Sequence, residues 1–148
     1  MKMRKFARCK GYEFVNLPSR KTVNSAGYDF ESAEDVIIES GCCAIVKTGI
    51  KAYMGDNEYL GISLRSSISI NYGLMMINSQ GIIDADYVDN CNNEGNIGVP
   101  IINVSKTRYT VHKGDRIAQG IFYNFLKTDD DYLQLKETRV GGVGSTGK

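Results

Sequence analysis

Ala44-Ile45-Val46-Lys47-Thr48-Gly49-Ile50-Lys51-Ala52-Tyr53 carries an alternation of apolar and polar side chains. Successive side chains of an extended chain point to opposite faces, so this pattern predicts a strand with one buried face. The same pattern recurs downstream in Tyr59-Leu60-Gly61-Ile62-Ser63-Leu64, in Ile97 to Val104 and in Ile117 to Phe125. Turn chemistry interrupts these stretches at Glu39-Ser40-Gly41, Gly55-Asp56-Asn57, Asn90 to Asn96 and Lys113-Gly114-Asp115. Short strands between frequent polar turns predict an all-β sandwich or barrel. Only Arg65 to Tyr72 reads as a helix, so at most one short helix is expected. With no internal repeat and no linker, residues 1–148 read as one domain with a modest core.

Charge and composition narrow the function classes. The net charge of +1 gives no reason to expect nucleic acid or an acidic membrane as a partner. Met1 to Lys10 is locally basic but lacks the apolar stretch of a signal peptide, and no run is long enough to span a bilayer. Cys9, Cys42, Cys43 and Cys91 have no Cys-x-x-Cys spacing, and His112, on what reads as a strand before a turn, is the single histidine. Neither zinc nor disulfides are expected, and the thiols suit a reducing cytoplasm.

Two segments fall outside this plain strand pattern. The tail, Arg139-Val140-Gly141-Gly142-Val143-Gly144-Ser145-Thr146-Gly147, is a poor core and a good phosphate grip. Glycine lets backbone N–H groups approach an anion closely, and arginine can hold phosphoryl oxygens bidentately. A frayed Gly/Ser tail is the plainer alternative. In mid-chain, Leu74 to Ile77 reads as a buried strand, Asn78 to Gly81 as a turn, and Ile82-Ile83 as a second arm ending in Asp84, Asp86 and Tyr87. In an extended chain the two carboxylates share a face. That pair is either a solvated edge or half of an acid–base site beside a phosphate grip.

Five short segments in order resemble the motifs of the trimeric dUTP diphosphatases, the dUTPases. They are Ala26-Gly27-Tyr28-Asp29-Phe30 with Ser32-Ala33, then Leu64-Arg65-Ser66-Ser67, then Asn78 to Tyr87. Gly114-Asp115-Arg116-Ile117-Ala118-Gln119 and the glycine tail complete the set. Together they span positions 26 to 147, so the resemblance covers nearly the whole chain. It implies a distorted β jelly roll, a homotrimer whose subunits share each active site, and a 139–148 tail that is flexible and orders over phosphate.

The resemblance also assigns roles. Asn78, Gly81, Ile82, Ile83 and a backbone group near Gly98 would frame uracil, their N–H and C=O groups imitating a base-pairing edge. A wrong base would leave buried groups unpaired, which discriminates by about 10⁴-fold or more. Tyr87 would pack on the deoxyribose and leave no space for a 2′-hydroxyl. Asp84 would orient and deprotonate the water that attacks the α-phosphorus. Arg65, Ser66, Ser67 and Gln119 would contact the phosphate chain, and Arg139, Gly144, Ser145 and Thr146 would close over the γ-phosphate. Mg²⁺ is the implied cofactor, held chiefly by substrate phosphates, with Asp29 near its water shell. Asp115 and Arg116 read as a structural pair in a turn.

Two features depart from the family pattern. Val143 stands where an aromatic ring commonly covers the uracil, which predicts weaker substrate binding or another cover. Val88 to Asn96 is longer than a tight hairpin and reads as a surface excursion. Two rival functions share the fold. A dCTP deaminase would want a glutamate base, which the third motif lacks, and a nucleotide-sensing regulatory binder would be expected to lose some of Arg65, Asp84, Gln119 and Arg139.

Overall fold

A computed structural model describes residues 3–144 of the chain. Its strands are β1 (Lys5–Arg8), β2 (Tyr28–Glu31), β3 (Val36–Ile38), β4 (Cys43–Lys47), β5 (Ile50–Tyr53) and β6 (Glu58–Leu64). After helix α1 (Ser66–Tyr72) come β7 (Leu74–Met76), β8 (Gly81–Asp84), β9 (Gly98–Asn103), β10 (Tyr109–Val111) and β11 (Arg116–Asn124). One 3-10 turn, Asp131–Leu133, precedes the tail. The larger sheets run β2-β11-β6-β8 and β4-β9-β7, and β1-β5 and β3-β10 form two-stranded ribbons. All the named pairings are antiparallel. This is the all-β architecture that the strand-and-turn pattern predicts, in the jelly-roll form that the resemblance implies.

The sheets share one core. Phe30, Leu60, Ile62, Ile117 and Ala118 of the larger sheet meet Val46, Leu74, Met76, Val99 and Ile101 of the other, with Ile38 and Ile50 closing the sides. β9 shows the alternation most cleanly, burying Val99, Ile101 and Asn103 while the residues between stay partly open. Asn103 is fully buried because every polar atom finds a partner. Its Nδ2 donates to the Ile38 and Thr107 carbonyls at 2.9 and 2.8 Å, and its Oδ1 accepts from Ser105. Phe6 of β1 plugs one end, 5.2 to 5.4 Å from the rings of Tyr28, Phe30 and Phe122.

Several sequence expectations change in detail. The stretch from Ala44 to Tyr53 is two strands, broken at Thr48-Gly49, where Gly49 takes a left-handed φ of 69°. Buried Thr48 holds the break by donating from Oγ1 to the Ile97 carbonyl at 2.8 Å. Leu74 to Ile77 is not buried throughout: Leu74 and Met76 are, whereas Met75 and Ile77 are more than half exposed. The outer face of β7 has no described layer over it, so strand alternation governs burial there. His112 lies just past the end of β10. The helix falls where expected, with Arg65 in extended N-cap geometry and Gly73 closing it at φ 65°.

Candidate active site

The turn Asn78–Gln80 joins two strands that belong to different sheets. β7 pairs with β9, and β8 pairs with β6, so the chain crosses from one sheet to the other at this point. Ser79 takes a left-handed φ of 57°, and the Gln80 N–H donates to the Asn78 carbonyl at 2.6 Å. A crossing between sheets opens a cleft of about 990 Å³. β8 is the edge strand of its sheet, so alternate backbone groups along Gly81, Ile82 and Ile83 lack a ladder partner on their far side. Gly98 lies opposite on β9, and a Cβ there would come within 2.6 Å of the Ile45 side chain. The cleft gathers Asn78, Gly81, Ile82, Ile83, Asp84, Tyr87, Gly98, Arg139 and Val143, nine of the expected residues.

Asp84 and Asp86 converge on one guanidinium, although by another route than the one read from sequence. β8 ends at Asp84, and Ala85-Asp86 turn rather than extend. What brings the carboxylates together is Arg139. Its Nη2 lies 2.7 Å from Asp84 Oδ2 and its Nε 2.8 Å from Asp86 Oδ1. The guanidinium also stands 5.8 Å from the Tyr87 ring centroid. Arg139 therefore rests on the carboxylates, where phosphate contact was expected of it. Val143 lines the cleft and is 90% exposed. Gly144 is exposed with φ 76°. Ser145 and Thr146 lie outside the described residues.

The residues expected to contact phosphate assemble elsewhere. Asp29, Arg65, Ser66, Ser67 and Gln119 line a separate cavity of about 410 Å³, with Lys21 and Arg116. β2, β11 and β6 place them: Gln119 lies opposite Asp29 on one side and Ser63 on the other. A Cβ at Gly27 would lie 2.7 Å from Gln119 Oε1, so a larger residue there would push the end of that side chain aside. Asp29 is held between two guanidiniums, 3.4 Å from Arg65 Nε and 3.0 Å from Arg116 Nη1. The expected Asp115–Arg116 pair is thus corrected: Asp115 accepts the His112 backbone N–H at 2.8 Å, and Arg116 turns to Asp29. Among the described residues no three His, Cys, Asp or Glu side chains are grouped to hold a metal.

The excursion at 88–96 is an ordered part of the site. Tyr87 is only 8% exposed, its hydroxyl donates to the Asn96 carbonyl at 3.3 Å, and Asn93 Nδ2 donates to it at 2.8 Å. Lys51 of β5 holds Asp89 and Glu94 at 2.6 Å each. Burial alone would lower the pKa of Lys51, but its hydrogen bonds to Asp89 and Glu94 outweigh that and raise it. The Lys51 hydrogen bond depresses Asp89 and Glu94 in return. Sequence reading missed these residues, and it missed Ile45, Lys47 and Tyr12, which also line the cleft. Ile45 and Lys47 arrive by pairing opposite Pro100 and Gly98, a register that local pattern does not reveal.

Comparison with known proteins places this geometry. The dUTPase family profile matches residues 14–147. The deoxyuridine 5'-triphosphate nucleotidohydrolase of Lactococcus lactis subsp. lactis (strain IL1403) is 44% identical over 149 residues, covering 99% of each chain. The crystal structure of the dUTPase from Streptococcus mutans superposes with a TM-score of 0.79 at 40% identity, over 84% of this chain and 98% of that one. The dUTPase from phage phi11 of S. aureus shares the fold with a TM-score of 0.74, at 23% identity over 91% of this chain and 95% of that one. A family match from residue 14 to residue 147, with a relative similar end to end, means that this chain belongs to the dUTPase family.

Proposed function

We infer that the protein is a dUTP diphosphatase, hydrolysing dUTP to dUMP and pyrophosphate. The observation that carries this reading at the site is the cleft that sets Asp84 beside an edge strand and a buried tyrosine. Uracil lies against the free backbone groups of Gly81 to Ile83, with Asn78 and Gly98 at its margins. These groups offer donors and acceptors in a fixed order, which pairs with uracil and leaves cytosine mismatched. Tyr87 packs on the deoxyribose. Asp84, half exposed and therefore open to water, accepts the proton of the water that attacks the α-phosphorus. Arg139 leaves the carboxylates for the phosphate chain and closes the tail, with Val143, Gly144, Ser145 and Thr146, over the substrate.

Arg65, Ser66, Ser67 and Gln119 bind the phosphates, yet they line a different cavity of the same chain from Asp84. A second copy that presents its Arg65 cavity to the Asp84 cleft would complete the site, and a homotrimer does so for every copy by rotation. The exposed apolar residues Met75, Ile77 and Val104 support burial of that face against another subunit. Mg²⁺ fits as a companion of the substrate. Asp29, committed to Arg65 and Arg116, suits contact through water only, and phosphate oxygens would hold the ion. When bound, the ion neutralises charge on the triphosphate. Four unbridged cysteines, three of them exposed, suit a reducing cytoplasm, and no described helix is long and apolar enough to cross a membrane.

Pyrophosphate release from dUTP, dTTP, dCTP and UTP with Mg²⁺ tests the reading. Wild type should turn over dUTP alone, and Asp84→Asn should lose about 10²–10⁴ in rate. Release from dCTP or UTP at a comparable rate, or full activity in Asp84→Asn, would overturn it.

A further inference from the structure

The segment after Tyr87 is bonded far more densely than a surface loop requires. Asn90 is buried, and both ends of its amide are used. Its Nδ2 donates to the Tyr87 carbonyl at 2.8 Å and to Asn93 Oδ1 at 2.7 Å, while its Oδ1 accepts the backbone N–H groups of Asn92 and Asn93. Asn93 Oδ1 also accepts the Gly95 N–H at 3.0 Å, which leaves its Nδ2 aimed at the Tyr87 hydroxyl. The two asparagines therefore form one unit whose outermost donor ends on the tyrosine.

This unit is fastened to the rest of the fold. Asp89 and Glu94 both take left-handed φ values, 58° and 61°, which non-glycine residues rarely adopt. Surrounding contacts must hold such a backbone in place. Here Lys51 grips both carboxylates, the Tyr53 hydroxyl donates to Asp89 Oδ2 at 2.8 Å, and the Lys10 N–H donates to Glu94 Oε2 at 2.9 Å. At the other end, the Asn96 side chain accepts the Gly49 N–H at 3.0 Å. The glycine tail lies on the same unit. Cys91 Sγ donates to the Val140 carbonyl at 2.8 Å, and a Cβ at buried Gly142 would stand 3.5 Å from Asn93 Nδ2.

We propose that Asn90 and Asn93 are positioning residues of the active site: the 88–96 excursion locks the Tyr87 ring through its hydroxyl and so sets the preference for 2′-deoxy over 2′-hydroxy nucleotides. The inference rests on the reading of Tyr87 as the wall against the sugar. A wall that rejects one hydroxyl works only if it cannot yield by a fraction of an ångström. Backbone attachment fixes one end of the ring, and the Asn93 bond fixes the other. Neither asparagine needs to touch the nucleotide, and the chemistry at Asp84 does not depend on them.

The test is a double-mutant cycle of Asn93→Ala and Tyr87→Phe, read as the ratio of kcat/KM for dUTP to that for UTP. Each single variant should lower the ratio about tenfold. The double variant should fall by clearly less than the two losses combined, because the Asn93–Tyr87 bond is deleted by either change. In Asn93→Ala, kcat for dUTP should stay within about threefold of wild type. Asn93→Asp, which keeps the acceptor and can take the tyrosine proton, should recover most of the ratio. An unchanged ratio in either single variant, or additive losses in the double, would overturn the proposal. Tyr87→Phe keeps the Asn90–Asn93 and Lys51 contacts of the loop, so it decides the matter even if Asn93→Ala fails to fold. Failure of the wild type to turn over dUTP would instead sink the functional reading itself, a separate result.

Discussion

Val143 stands 90% exposed at the rim of the nucleoside cleft, with nothing but its own isopropyl group to lay over a base. A phenyl ring there would add contact area and a π face at little entropic cost. Val143→Phe should therefore lower KM for dUTP several-fold with kcat nearly unchanged, as steady-state kinetics would show. An unchanged or higher KM would mean that another group already covers the uracil. Residues at this scale were legible where chemistry lies in one contiguous run. Asn78 to Tyr87 could be read because the turn, the edge strand and the acids follow one another along the chain. Arg139 was legible as an anion binder but not as the partner of Asp84 and Asp86, since an ion pair spanning 53 and 55 positions has no local signature.

At the scale of elements, the excursion is an electrostatically riveted loop, and pH should loosen it from one side only. Asp89 and Glu94 have native pKa values depressed by Lys51, below unfolded values of about 4. Their contribution is complete above that range and is lost as pH falls through the native values. Lys51 is shifted the other way, so its contribution is complete below the ordinary lysine range and fades only in strong alkali. Hydrogen-exchange protection at the Glu94 and Asn96 amides, which bond within the loop, should hold from neutral pH to about 9 and collapse below about 4. Protection that persists in acid would show that the asparagines alone hold the loop. The excursion's Asn and Gly content made it readable as a turn, whereas its anchor on β5 was not, because Lys51 looks like an ordinary alternating strand residue. The four-residue strands β1 and β2 escaped for a related reason: they are too short and too polar for alternation to register.

For the whole molecule, the division of the expected site residues between two cavities is the feature with the widest reach. If each active site combines the Asp84 cleft of one subunit with the Arg65 cavity of another, two inactive variants can repair each other. Asp84→Asn and Arg65→Ala, each inactive alone, should regain about a quarter of wild-type activity when mixed, unfolded and refolded together, the share of sites given one intact contributor of each kind by random assembly. No recovery would mean that each chain builds its site alone. The all-β architecture was legible from alternation and turns because those are local. The division of the site was not, since the sheet order that separates the two cavities depends on which strands meet.

The contact between Cys91 and the Val140 carbonyl makes one thiol a reporter on the tail. Cys91 is exposed enough to react, and its thiol donates to the Val140 carbonyl. Burial pushes the Cys9 thiol up to about 11, leaving it inert, so once Cys42 and Cys43 are replaced by serine only one reactive sulfur remains. A faster alkylation of that thiol when the tail contact is broken, for instance by truncation before Val140, would then report how far the contact protects it.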